Sequence, residues 1–297
     1  MPRPSMTANT SVMTNSVRFS VLGPVRAWRD GVEIDLGSPQ QRAVLAALLL
    51  RAGALVTLDE LVAAVWDDEL PAAAVGTVRT YIHRLRRALE ADPGHPSVLR
   101  SLGGGYTMTA GPLDLDDVQR WIDAAAVAER AGRTHEAAEA LDRALAVWQG
   151  PALSGVPGRY AQAQRARWAE VRLNTVERRL ELAVVLGRYG DALPELVALV
   201  GEHPLRERPR HLLMLALAGA GRRAEALAVF RDTRQLLAAE LGIEPGPALQ
   251  RVHRDILAGG EPAAPPPPPS RTTSPRRTVR ARNIAVRSIG TRASIGR

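Results

Sequence analysis

The chain has 297 residues and no cysteine, which removes disulfides, cysteine-ligated zinc and a thiol nucleophile together and suits a reducing compartment. It has no lysine either, since all 39 basic residues are arginine, and a Walker-type phosphate loop needs its lysine. No segment approaches the roughly 18 apolar residues of a membrane span, and residues 1–16 contain a basic residue but no apolar core of signal-peptide length. The expectation is a cytoplasmic protein, neither secreted nor membrane-embedded. His83, His95, His135, His203, His211 and His253 show no close metal spacing, so no metal is expected. Gly103 to Gly105 are not followed by the helix start that would cradle a dinucleotide, and no Gly-x-Ser-x-Gly elbow is present. Acidic pairs such as Asp67-Asp68 and Asp116-Asp117 read more simply as exposed helix-end charge than as acid–base machinery. Neither an enzyme nor a cofactor is expected.

What is present fits two ordinary domains, with 45% hydrophobic residues able to bury real cores. The formal net charge of +8 invites a nucleic-acid reading, but its distribution weakens that argument. From Pro262 onward there are eight arginines and no acid. Taking those eight from 39 leaves 31 basic residues against 31 acidic ones, so the rest of the chain is neutral.

Residues 1–16 are polar and aperiodic and are expected to be a disordered leader. Residues 17–36 alternate apolar and polar positions (Val17, Phe19, Val21; Val32, Ile34, Leu36) around Asp30-Gly31, which predicts a small antiparallel sheet with a hairpin turn. Ser38-Pro39 is an N-cap followed by proline at the first helical position, and the apolar run from Val44 to Leu50 ends before Gly53. Thr57-Leu58-Asp59-Glu60 is a capping box opening a second helix. Pro71 precedes a third helix over about 72–90, and 98–109 reads as two strands around Gly103-Gly104-Gly105.

Sheet, three helices and a terminal hairpin is the order of a winged helix, so the third helix is the one to test for a recognition face. Val78, Ile82, Leu85 and Leu89 share one side at spacings of four, three and four, which predicts packing on the first two helices. The opposite side carries Thr80, His83, Arg84 and Arg87, with Thr77 nearby and Arg79 and Arg86 flanking it. There is no acid from Gly76 to Ala88. Groove entry needs this composition, with arginines to neutralise phosphates and short polar side chains or guanidinium groups to reach base edges. A merely solvated basic face is the competing reading, and the surrounding order of elements weighs against it.

Residues 17–111 resemble the OmpR-type winged-helix DNA-binding domain. The run from Thr77 through Tyr81 and Arg84 to Arg87, with the later Gly-Gly-Tyr106, is similar to its recognition helix and wing. Residues 112–260 resemble the bacterial transcriptional activation domain that follows it in the Streptomyces antibiotic regulatory protein family. The resemblance implies that Arg84 and Arg87 contact phosphate or base and that Thr77, Thr80 and His83 face the major groove. It further implies that the start of the first helix (Ser38, Gln40, Arg42) touches the DNA backbone. Arg79 and the wing residues Gly104, Gly105 and Tyr106 complete the expected DNA-binding set. His83 departs from the small polar residue expected of relatives there.

The second domain has its own signature. Gly132-Arg133, Gly187-Arg188 and Gly221-Arg222 each precede an acid and small alanines, and the last two lie 34 positions apart, about the tetratricopeptide period. The first gap, 55 positions, holds the loop 149–157. Helical repeats make concave surfaces, so a partner protein or a second subunit is the expected ligand, the alternative being an array that only holds the DNA-binding domain. Residues 261–297, with the proline run 265–269 and an Arg/Ser/Thr tail, are expected to stay disordered.

The fold expected is mainly α: an N-terminal winged helix-turn-helix with small antiparallel sheets, then a helical repeat domain. The function expected is a sequence-specific regulator of transcription acting on double-stranded DNA. The resemblance adds a direct-repeat operator near a promoter, a homodimer on DNA, recruitment of RNA polymerase and activation of a secondary-metabolite gene cluster. The alternative is a helical-repeat signalling scaffold whose winged helix no longer binds DNA. A sheet beginning at Val17 leaves no room upstream for a phosphorylated receiver, so control is expected to act through expression, a ligand or a partner on the repeats.

Overall fold

The computed structural model describes residues 17–67, 70–92 and 94–259. The expected leader and tail, and the acidic residues Asp68 and Glu69, lie outside the described residues.

The first sheet is antiparallel in the order β1 (Arg18–Ser20), β2 (Arg26–Arg29), β3 (Val32–Glu33). Arg29 pairs with Val32 across a two-residue turn in which Asp30 and Gly31 both take positive φ, 50° and 82°, the mirror-image turn that matches strand twist. Helix α1 (Pro39–Leu49) starts where Ser38 accepts the Gln41 amide. Helix α2 (Leu58–Val65) opens on a complete capping box: the Thr57 hydroxyl accepts the Glu60 amide, and the Glu60 carboxylate accepts the Thr57 amide. Helix α3 (Ala74–Leu89) buries Val78, Ile82, Leu85 and Leu89 to 1% exposure or less, packed on α1 and α2.

Strands β5 (Leu99–Leu102) and β6 (Gly105–Met108) form the wing. Sequence periodicity leaves no strand between α1 and α2, yet Val56–Thr57 forms one, β4, and the second sheet runs β4-β6-β5. This corrects the reading of Gly105 as part of the turn. The turn is Gly103-Gly104, φ 47° and 85°, whereas Gly105 is a buried strand residue paired with Thr57. A Cβ there would stand 2.3 Å from the Val56 carbonyl oxygen.

Among the described residues seven helices follow: α4 (Asp114–Arg130), α5 (Thr134–Leu145), α6 (Arg159–Val185), α7 (Tyr189–Glu202), α8 (Glu207–Gly219), α9 (Arg223–Leu241) and α10 (Pro247–Leu257). The three Gly-Arg signatures are three copies of one helix ending. Gly132, Gly187 and Gly221 have φ of 71°, 71° and 78°. The next amide reaches back five residues, Arg133 to Ala128, Arg188 to Ala183 and Arg222 to Leu217, at 2.9, 2.9 and 2.8 Å. The chain thereby reverses so that Ala137, Ala192 and Ala226 are buried against the preceding helix. Between the layers, Glu177 and Glu181 are 1% and 2% exposed and are compensated by Arg178, Arg206 and Arg208, as buried carboxylates require.

The loop 149–157, which sequence reading treats as a gap between repeats, is a seam. The amides of Gln149, Leu153 and Ser154 donate to the carbonyls of Leu22, Val21 and Gly23 at 2.8, 2.8 and 3.0 Å, and Phe19 donates to Pro112 at 2.9 Å. Asp114, at the start of α4, accepts from the Ser20 hydroxyl and the Val21 and Leu22 amides at 2.7, 2.8 and 2.8 Å. Burial pushes its carboxyl up in spite of these donors. Leu153 and Val156 of the loop and Ala161 of α6 lie inside the winged-helix core, while Val176, Leu180 and Val184, further along α6, lie in the repeat core. One helix of about 40 Å therefore serves both.

A second tight contact is at Gly158, with φ of 92° and a hypothetical Cβ 2.5 Å from the Ala64 carbonyl oxygen. Gly158→Ala is expected to lower stability by about 2–3 kcal/mol in urea unfolding. An unchanged midpoint would mean that α2 and α6 are not held this closely.

Candidate nucleic-acid interface

The outward face of α3 is the largest concentration of unpaired positive charge in the winged helix. Arg79, Arg84 and Arg87 are exposed, and among the described residues no ion pair or hydrogen bond engages them. Arg26 and Arg51, by contrast, pair with Glu33 and Glu60 at 3.5 and 2.9 Å. Thr80 and His83 are exposed beside these arginines, and Thr77 is half-buried at the edge. The threonine hydroxyls donate to backbone carbonyls one turn back, Thr77 to Ala73 at 3.0 Å and Thr80 to Gly76 at 3.1 Å.

Three side chains that sequence reading missed, or saw only as flanking, hold this helix and the wing in one frame. Arg86 turns away from the open face: its Nε donates to the Leu99 carbonyl at 2.9 Å, its Nη2 to the Ser101 hydroxyl at 2.8 Å, and its guanidinium lies 5.7 Å from the Tyr106 ring centre. Glu90 ends α3 with 4% exposure. Its carboxylate accepts the amides of Ser97, Val98 and Leu99 at 2.8, 2.9 and 2.7 Å. Burial alone would raise this carboxyl, but the Leu99, Val98 and Ser97 amides outweigh it and hold it below the ordinary glutamate range. Arg29 of β2 donates to the Leu89 carbonyl at 2.7 Å, satisfying the C-terminal end of α3 from the first sheet. A signal for Glu90 did exist: an acid at a helix C-terminus opposes the helix dipole, and its presence there requires donors from elsewhere.

The other expected residues fall into separate places. Ser38 is half-buried and its hydroxyl is occupied in capping α1; Gln40 is exposed; Arg42 is half-buried, with a buried Nε that finds no acceptor. Gly104 is exposed at the wing turn, Tyr106 is half-buried beneath Arg86, and Gly105 is the buried strand residue described above. Arg100 on β5, not foreseen, is exposed and, among the described residues, reaches only the Thr109 hydroxyl, at 3.5 Å. Among the described residues no cluster of His, Cys, Asp and Glu is placed to hold a metal, and no helix is long and apolar enough to cross a membrane.

Two families match this framework: residues 31–108 match the C-terminal domain of transcriptional regulatory proteins, and residues 113–257 match the bacterial transcriptional activator domain. Regulatory protein AfsR of Streptomyces coelicolor is 52% identical over 247 residues, 82% of this chain and 24% of that protein. The chain thus spans about a quarter of the length of AfsR. Regulatory protein DnrI of Streptomyces peucetius is 34% identical over 250 residues, 81% of this chain and 92% of that one. Mycobacterium tuberculosis EmbR, solved in complex with a low-affinity phosphopeptide, superposes with a TM-score of 0.77 at 30% identity, covering 82% of this chain and 65% of that one.

The Glu90 brace generates a prediction with a defined sign. Because its folded-state pKa is lowered, its stabilisation is present above the unfolded glutamate pKa and is lost as pH falls below about 4.3. Glu90→Ala, which leaves three amides without their acceptor, is expected to cost about 2–3 kcal/mol at neutral pH, and the deficit is expected to shrink on acidification. Thermal unfolding between neutral and acid pH measures both. A deficit that does not change with pH would remove the charge from this account.

Proposed function

The chain belongs to the Streptomyces antibiotic regulatory protein family of transcriptional regulators, and on that premise we propose that it binds double-stranded DNA sequence-specifically and activates transcription of a secondary-metabolite gene cluster. The observation that carries the reading is the set Arg79, Arg84 and Arg87, left unpaired among the described residues on the exposed face of a helix whose other face is fully buried. Unpaired guanidinium groups on a fixed helix are ready to displace counterions from phosphates or to bond guanine edges. In this reading α3 enters the major groove with Thr77, Thr80 and His83 toward the bases. The first turn of α1 (Ser38, Gln40, Arg42) and the wing (Gly104, Tyr106, with Arg100 added) meet the sugar–phosphate backbone, and Gly105 acts by letting β4 close on the wing. The operator is a direct repeat near a promoter, occupied by two copies, and the helical repeats contact RNA polymerase. The site of action is the cytoplasm.

The test is fluorescence anisotropy of the full chain, and of residues 17–260, on promoter DNA from its own gene neighbourhood, with scrambled competitor and varied salt. Arg84→Ala with Arg87→Ala is expected to weaken binding and to flatten the log–log salt dependence by about 0.9 for each phosphate no longer neutralised. Affinity and slope both unchanged would place the function in the helical repeats and make the chain a signalling scaffold.

A further inference from the structure

We infer that Thr77 and Thr80 select two neighbouring A·T pairs under the first turns of α3; this rests on the DNA reading proposed above. A hydroxyl carries one proton and two acceptor lone pairs. In both threonines the proton is committed to a carbonyl of the same helix or its N-cap, Gly76 or Ala73. Each side chain therefore offers the groove an acceptor and a methyl, and no donor.

In the major groove, donors stand only on adenine N6 and cytosine N4, while guanine and thymine present acceptors. A lone pair thus favours adenine or cytosine. The methyl separates those two, because the thymine paired with adenine carries a C5 methyl to meet it and the guanine paired with cytosine does not. Three helical residues rise about 4.5 Å against about 3.4 Å per base step, so the two threonines lie over adjacent pairs.

Gly76 supplies the independent observation. It is exposed, one turn before Thr80 on the same face, and has an ordinary helical backbone. A Cβ there would meet nothing within 4 Å. Among the described residues nothing requires glycine at this position, and in a helix it costs stability relative to alanine. A missing side chain at the N-terminal end of the groove-facing surface lets that surface come close to base edges.

The experiment is selection of binding sites from a random duplex pool by the full chain, sequenced alongside variants that melt no lower than the wild type. The wild type is expected to enrich a motif containing two adjacent A·T pairs. Thr80→Val keeps the methyl and removes the acceptor, and discrimination at one of these pairs is expected to fall about fivefold. Thr80→Ser keeps the acceptor and removes the methyl, and that pair is expected to become degenerate between A·T and C·G. Gly76→Ala is expected to bind more weakly while melting higher. A motif with G·C at both positions, or one that both Thr80 variants retain unchanged, overturns the inference and leaves the DNA reading standing. No enriched motif from the wild type overturns both.

Discussion

The constraint on which the rest depends is the seam between the winged helix and the repeats. A hydrogen-bonded join between the edge of the first sheet and the loop before α6 fixes Leu153 and Val156 inside the winged-helix core. Three donors hold Asp114 at the start of α4 against β1. Neither half separates from the other without exposing apolar side chains and breaking the backbone hydrogen bonds that join them. The two family matches meet at residues 108 and 113, yet the chain is continuous in packing across that point.

From the seam the order passes to the candidate interface through short links. The first sheet, held by α4 and the loop, supplies Arg29 to the end of α3. The end of α3 supplies Glu90 to the start of the wing, and its last turn supplies Arg86 to the wing's outer strand. Those arginines and acids are committed to architecture. Among the described residues Arg79, Arg84 and Arg87 on the open face stand outside that network, so the same pairings that explain the fold also set apart a surface left for a ligand.

Much of this was legible in the sequence where a local rule is strict. The Asp30-Gly31 turn, the Thr57–Glu60 capping box and the apolar row Val78, Ile82, Leu85, Leu89 each depend on residues within a few turns of one another, and all three stand where spacing places them. The Gly-Arg signatures were legible as turns, although their reason, a left-handed glycine and a five-residue back-bond, needed the backbone. Strand β4 was illegible because two residues carry no periodicity and their partner lies about fifty positions away. The seam was illegible for the same reason, being made mostly of backbone groups, which every residue possesses. At the interface, composition marked the correct helix face but could not divide its arginines: Arg84 and Arg86 look alike in sequence, and only the wing's position makes one a brace and the other a free cation.

The long helix α6, rooted in both cores, has a consequence for regulation that concerns geometry rather than affinity. A chain bound as proposed carries its repeats at a fixed angle around the duplex, so moving its site by one base pair swings them through about a tenth of a turn. A rigid join of this kind makes helical phase, and not distance alone, the variable that an operator must respect. Sites displaced by half a turn would present the repeats to the opposite side of the DNA, whereas a full turn would restore them to the same side about 34 Å further along.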